Sequence, residues 1–168
     1  GNRFVLCLVD YATRYPEAIA LKGISIEEVA EALTKIFSRV GIPSTVLSDQ
    51  GSQFVGEVMQ EVFRLLSVDH VTSSIYHPQA NGLVEKWNAT LKSMLRKLCA
   101  ERPTDWDRYI EPALFAYREV PQDSVGFSPF EMLYGRTVRG PLAILKELWT
   151  KEIPDEEVQS TYRYVFEL

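Results

Sequence analysis

The sequence predicts an α/β domain with a mixed, partly antiparallel sheet, and three observations lead there. Two short apolar runs near the start, Phe4–Val9 and 17–21 (EAIAL), read as hairpin strands. After Ser25, helix-like and strand-like segments alternate, which is the pattern of a layered α/β domain. The 168 residues, 46% of them hydrophobic, leave room for one compact domain with a sizeable core and rule out a disordered chain, a collagen or a coiled-coil rod.

The elements follow in order. Asp10 stands at the end of the first run, and 11–15 (YATRY) either continues that strand or turns. Pro16 favours extended chain before it, and 17–21 then reads as a further segment of the same meander, ended by Gly23. Ser25 is placed to cap a helix with Glu27 and Glu28 in its first turn, while Ile26, Val29, Ala30, Leu33, Ile36 and Phe37 repeat at helical spacing. Gly41 and Pro43 stop it. A β-prone run at 45–47 (TVL) leads into Ser48-Asp49-Gln50-Gly51, and Phe54, Val58, Val62, Phe63, Leu65 and Leu66 outline a second helix. Residues 70–74 (HVTSS) read as a strand, and 75–82 (IYHPQANG) as a loop by its Pro, Asn and Gly.

A long helix follows, with Leu83, Trp87, Leu91, Met94, Leu95 and Leu98 as its apolar stripe and Glu85, Asn88, Lys92 and Arg96 opposite. Pro103 and Thr104 break it, and 106–120 forms another helix entered from a Thr104 cap. Pro129 opens and Gly135 closes a short helical turn. The chain is helical again after Pro141, with a polar interruption at 151–157. Residues 1–145 are expected to form the core domain, and 146–168 a helical extension or the start of a linker.

No run of 18 apolar residues exists, so no membrane span is expected. The start of the chain shows no signal peptide and no initiator Met, which reads as a piece of a longer protein. Cys7 and Cys99 are expected to be buried or half-buried free thiols in a reducing compartment. The formal charge of -5 argues weakly against general nucleic-acid binding, but residues 1–100 carry ten basic and ten acidic side chains, so the excess acid lies beyond them. Between Glu85 and Lys97 the balance is +3, enough for a local phosphate-binding helix.

Three acids stand out: Asp10 at the end of the opening strand, Asp49 directly after the strand at 45–47, and Glu85 one turn into the long helix. Carboxylates presented this way suit Mg²⁺, which takes oxygen ligands and is held through a few carboxylates and the substrate's phosphates. Spacing alone is weak support, since acids at strand ends are most often solvated surface.

Four segments carry a resemblance that strengthens the reading: FVLCLVDYATRYPEA (4–18), VGIPSTVLSDQGSQF (40–54), SSIYHPQANGLVEKWNATLKSMLRK (73–97) and GFSPFEMLYGR (126–136). Together they resemble the catalytic core of integrases from retroviruses and long-terminal-repeat retrotransposons of the gypsy type. Thirty-five residues lie between Asp49 and Glu85, the interval this family keeps between the second Asp and the Glu of its Asp-Asp-Glu triad. The resemblance implies a ribonuclease-H-like fold, catalysis with paired Mg²⁺ or Mn²⁺ ions, and DNA 3′-end processing followed by strand transfer. Its partners would be double-stranded element ends and target DNA, its assembly a homo-oligomer, and its place of action on host DNA the nucleus.

Carried across by position, Asp49 and Glu85 match the second and third catalytic acids and metal ligands. Tyr76, Pro78, Gln79, Asn81 and Gly82 match the flexible loop beside the metals and the DNA end. Lys92 matches a lysine that approaches the terminal phosphates, and Asn88 and Arg96 share its helix face. One departure matters. The family's first catalytic Asp lies on a strand before the one containing FVLCLVD, so the triad is expected to be incomplete here and the sheet to lack its first strand. Asp10 matches an acidic position at the end of the second strand, outside the triad. The family's zinc-binding N-terminal and DNA-binding C-terminal modules are likewise not expected in this stretch.

Two other classes remain open: a truncated or domesticated relic that binds DNA or protein without catalysis, and a general ribonuclease H. The remaining polar residues read more plainly. His77 sits in the loop, where Mg²⁺ prefers oxygen ligands, and His70 belongs to the surface or the core edge. Trp87 and Trp106 belong to the core or a subunit contact. Ser52 has no nucleophile-elbow context, and Gly51 opens no phosphate loop.

Overall fold

The computed structural model of the protein describes residues 1–72 and 82–150, apart from the side chains of Pro141 and Leu142. β1 (Phe4–Val9) and β2 (Pro16–Leu21) pair antiparallel, from Phe4 opposite Leu21 to Val9 opposite Pro16. Pro16 is the first residue of its strand, a place where a missing N–H is tolerated. The segment 11–15 turns between the strands, so the meander is a two-strand hairpin.

α1 (Ile26–Val40) forms where its apolar spacing predicts. The Ser25 hydroxyl accepts from the Glu28 N–H at 3.3 Å, and Glu27 and Glu28 lie at the positive end of the helix dipole. Its far end closes at Gly41, whose φ of 98° is costly for a residue with a Cβ and whose N–H bonds the Phe37 carbonyl. Near that end the Arg39 guanidinium meets the buried Glu17 carboxylate of β2 at 2.8 Å, tying the helix to the hairpin.

β3 (Thr45–Ser48) and β4 (Asp69–Thr72) pair parallel, with Val46 opposite His70 and Ser48 opposite Thr72. The single helix expected between them is two: α2 (Ser52–Val55) and α3 (Glu57–Leu65), separated at Gly56, whose ψ of 151° is extended. A Cβ at Gly56 would come within 2.6 Å of the end of Ile26, so the break lets α1 approach the chain closely. Among the described residues the strands pair only two by two, and the mixed sheet is therefore present as an antiparallel and a parallel pair. Both pairs feed one core. Leu6 and Leu21 from the hairpin join Val29, Leu33, Ile36 and Phe37 of α1 and Met59 and Phe63 of α3, with Val46 of β3 against the same cluster.

α4 (Gly82–Leu98) buries Trp87, Leu91 and Leu95, the inner part of the predicted stripe, while Leu98 is exposed. The entry to the next helix differs from expectation. Instead of a Thr104 cap, a 3₁₀ helix runs Pro103–Tyr109 with Asp105 off helical geometry, and α5 (Ile110–Glu119) starts from it. Proline at the first position suits a helix start of either kind. α6 (Pro129–Tyr134) fits the sequence reading closely: Ser128 and Glu131 exchange both capping-box hydrogen bonds, and Gly135 closes the turn at φ 65°. α7 (Pro141–Thr150) follows Pro141 as expected; the interruption at 151–157 lies outside the described residues.

By contacts the chain divides into two compact units. One comprises Gly1–Tyr11 and Pro16–Leu114; the other gathers Ala12–Tyr15 with the chain from Phe115 onward. The second has an aromatic cluster of its own, with Tyr15 edge-on to Tyr134 at 6.0 Å and the Arg118 guanidinium 4.3 Å from the Tyr15 ring centre.

Ile36, 1% exposed at the centre of the first unit's core, tests this packing. Replacing it with Ala should lower unfolding free energy by about 2–5 kcal/mol. Exposed Lys35→Ala should stay within about 0.5 kcal/mol, both read from urea denaturation at unchanged slope.

Candidate metal and nucleic-acid site

The end of β3 carries the first candidate. Asp49 is exposed and follows buried Ser48 directly. Its carboxylate Oδ1 accepts the Gly51 N–H at 3.0 Å, a side-chain-to-backbone turn two residues long that Asp adopts readily. Glu85 stands exposed in the first turn of α4, where a carboxylate is favoured by the helix dipole. Asp10 is exposed just past β1. Among the described residues no group of three His, Cys, Asp or Glu side chains lies close enough together to hold a metal ion, so Asp10, Asp49 and Glu85 do not form one. Exposed carboxylates are hard oxygen donors, the chemistry that a divalent cation such as Mg²⁺ takes. They do not by themselves fit a paired-ion site.

On α4 the pattern separates cleanly. Trp87, Leu91 and Leu95 face the core, Lys92 and Arg96 are exposed, and Asn88 is half-buried. Trp87 also reaches the Cys7 sulfur of β1. Burial pushes the Cys7 thiol up to about 11, against the opposing pull of the nearby Trp87 indole N–H and the Lys92 ammonium. Cys7 is therefore a neutral thiol and a packing residue. Cys99 is buried and free, and its Sγ–H donates to the Leu95 carbonyl at 2.6 Å. Tyr76, His77, Pro78, Gln79 and Asn81 lie outside the described residues. No described helix is long and apolar enough to cross a membrane.

Behind Asp49 lies a polar chain that the sequence does not single out. Gln60 of α3 sits 3.0 Å from the Phe54 carbonyl and 2.8 Å from His70 Nδ1 through the same amide nitrogen. His70 Nε2 is 2.9 Å from Ser48 Oγ, and Ser48 Oγ is 2.7 Å from the Asp49 carbonyl. Counting protons orders all four bonds. A carbonyl only accepts, so the Gln60 amide donates to Phe54 and donates again to His70 Nδ1. Nε2 then carries the ring proton and donates to Ser48, whose single hydroxyl proton goes to Asp49. The His70 ring also stacks on buried Phe63, with centres 4.7 Å apart. Strand parity is the one signal that could have found the chain, since positions 46, 48 and 70 share a sheet face; nothing in the sequence announces Gln60.

Comparison with known proteins places this geometry in context. Residues 1–78 match the family described as Integrase core domain. The Pol polyprotein of a feline endogenous virus is 33% identical over 162 residues, covering 95% of this chain and 15% of that protein. This chain spans less than a quarter of the length of the viral polyproteins it matches. Among solved structures, the simian T-cell lymphotropic virus intasome has a TM-score of 0.72 at 23% identity, covering 82% of this chain and 49% of the other. The HTLV-2 integrase catalytic core domain in complex with magnesium has a TM-score of 0.67 at 22% identity, covering 77% and 84%. These two likenesses show the ribonuclease-H-like fold.

Burial holds the His70 imidazole below its ordinary value of 6.5, and a protonated ring would also set Nδ1–H against the Gln60 N–H. The unfolded chain thus takes up this proton first as pH falls, so the contribution of His70 is full above about pH 6.5 and declines below it. Urea midpoints between about pH 7 and pH 5 should fall more steeply for the wild type than for His70→Gln.

Proposed function

The chain belongs to the retroviral and retrotransposon type of integrase core domain, and we propose that it is the catalytic-core portion of a longer enzyme that joins element DNA to target DNA. The observations that support this reading are that Asp49 is exposed at the end of β3 and that Glu85 is exposed in the first turn of α4, a helix whose outer face bears Lys92 and Arg96. Asp49 and Glu85 would hold Mg²⁺ or Mn²⁺, completed by ligands that the longer protein supplies. The bound cation would stabilise charge on the phosphate oxygens and lower the pKa of the attacking oxygen.

The reaction class is phosphodiester exchange. In end processing, water adds to the phosphorus near the DNA terminus and loses a proton; the bond to the 3′ oxygen breaks, and that oxygen takes up a proton as the new 3′-hydroxyl. In strand transfer this hydroxyl attacks a target phosphodiester and displaces the target's own 3′ oxygen. Lys92 and Arg96 bind and orient the terminal phosphates, contacts that position DNA without reading its sequence. Tyr76, Gln79, Asn81 and Asn88 would contact the same DNA end. Double-stranded DNA is the partner, a homo-oligomer the working assembly, and the nucleus the place of action. The core extends through residues 1–145, with 146–168 as an extension toward the next module.

A second reading has one observation in its favour. Because the described residues hold no three-ligand group, the chain by itself could be a DNA- or protein-binding core without catalysis. Strand joining and disintegration of branched DNA with Mn²⁺ separates the two. Activity lost in both Asp49→Asn and Glu85→Gln supports the enzyme reading, whereas a folded wild type with no activity favours the second.

Lys92→Ala and Arg96→Ala should each weaken DNA binding across sequences and reduce the slope of log affinity against log salt by about 1. Titrations at several salt concentrations check this, and slopes unchanged in both variants would remove these residues from the DNA surface.

A further inference from the structure

Glu85 is held by a helix, but Asp49 has left its strand and sits exposed on a turn with no described helix or strand of its own. Something must keep its carboxylate in one place if it is to bind a cation productively. The hydroxyl of Ser48, buried at 7% exposure, points at the carbonyl of the very next residue, which is no part of a sheet ladder. It is held there by a ring that packs against Phe63 and is hydrogen-bonded at Nδ1 by the doubly donating Gln60 amide.

We propose that Ser48, His70 and Gln60 form a positioning relay that fixes the Asp49 turn from the α3 side. This deepens the reading of Asp49 as a cation ligand and rests on it. The mechanical path is continuous. α3 holds His70 through Gln60, and His70 holds the Ser48 hydroxyl. The hydroxyl fixes the Asp49 carbonyl and with it the plane of the 49–50 peptide. That plane limits where the Gly51 N–H points, and this N–H binds the Asp49 carboxylate at 3.0 Å. Backbone and side chain of Asp49 are thereby held by one hydrogen-bonded circuit with two ends, one on the exposed Gln60 amide of α3 and one on the carboxylate. Ser48, His70 and Gln60 touch no substrate; their role is to orient the residue that does. Outer-shell hydrogen bonds of this kind commonly carry a 10- to 100-fold share of metal affinity.

The test uses the 168-residue chain in solution, with Mn²⁺ as the probe. Nitrogen shifts of the His70 ring should report the neutral form protonated at Nε2, and protonation at Nδ1 instead would overturn the relay. Backbone order parameters at residues 49–51 should fall from about 0.85 toward about 0.6 in Ser48→Ala and recover in Ser48→Thr, which restores a hydroxyl. Order unchanged in Ser48→Ala would overturn the proposal, and so would a loss that Ser48→Thr fails to restore. Mn²⁺ should broaden the Gly51 amide in the wild type but not in Asp49→Asn, and its affinity should drop about tenfold in Ser48→Ala at matched global stability. If the turn loosens as described while Mn²⁺ never localises at Asp49, the relay stands and the cation reading fails. His70→Leu repeats the test from the other side; should it fail to fold, Ser48→Ala still decides.

Discussion

A parallel strand pair cannot be closed by a tight turn, so pairing β3 with β4 obliges the intervening chain to leave the sheet, cross one face and return. That one constraint organises the first unit. The crossing segment becomes α2 and α3, and α3 brings Met59 and Phe63 into the core that α1 and the β1–β2 hairpin also line. The same register sets Val46 opposite His70, two residue pairs before Ser48 meets Thr72. The end of β3, where Asp49 emerges, is therefore backed by the helix that its own crossover created. A slip of one residue would turn Ser48 outward and aim its neighbours at the core.

Charge is distributed to match. Glu17 is the buried exception, answered by Arg39; Asp49, Glu85, Lys92 and Arg96 are all exposed. Exposed charges cost the fold little and contribute little to it, which leaves them free to meet a cation and phosphates. The negative sum of the whole chain obscures this, because the acids that produce it lie beyond residue 100 while the outer face of α4 is basic. Cys7 behaves in the opposite sense: half-buried against Trp87, it stays a neutral thiol and packs beside the helix that carries Glu85.

Much of this was legible in the residues. Helical spacing located α1 and α4, the Ser25 cap opened the first of them, and Pro129 and Gly135 marked the ends of α6, because caps and apolar periodicity are local physics. The break at Gly56 was not legible, since it answers the approach of Ile26 from a helix thirty residues earlier. The 3₁₀ entry to α5 was missed for a related reason: Thr104 and Pro103 both favour a helix start, and sequence alone does not choose the type. Of the candidate site, Asp49, Glu85, Lys92 and Arg96 were named from motif and interval. Gln60 was not, because it acts through a histidine ten residues away across a strand boundary.

The division follows the range of the interactions. Local order (the cap of α1, the limits of α6, the inner and outer faces of α4) depends on neighbours within four residues, and the sequence by itself determined it. Which strands pair, how many share one sheet, and what stands behind each carboxylate depend on contacts between distant segments. Only the tertiary structure decided those, because a hydrogen bond between Ser48 and His70 exists when two strands lie side by side and leaves no trace in either stretch of sequence alone.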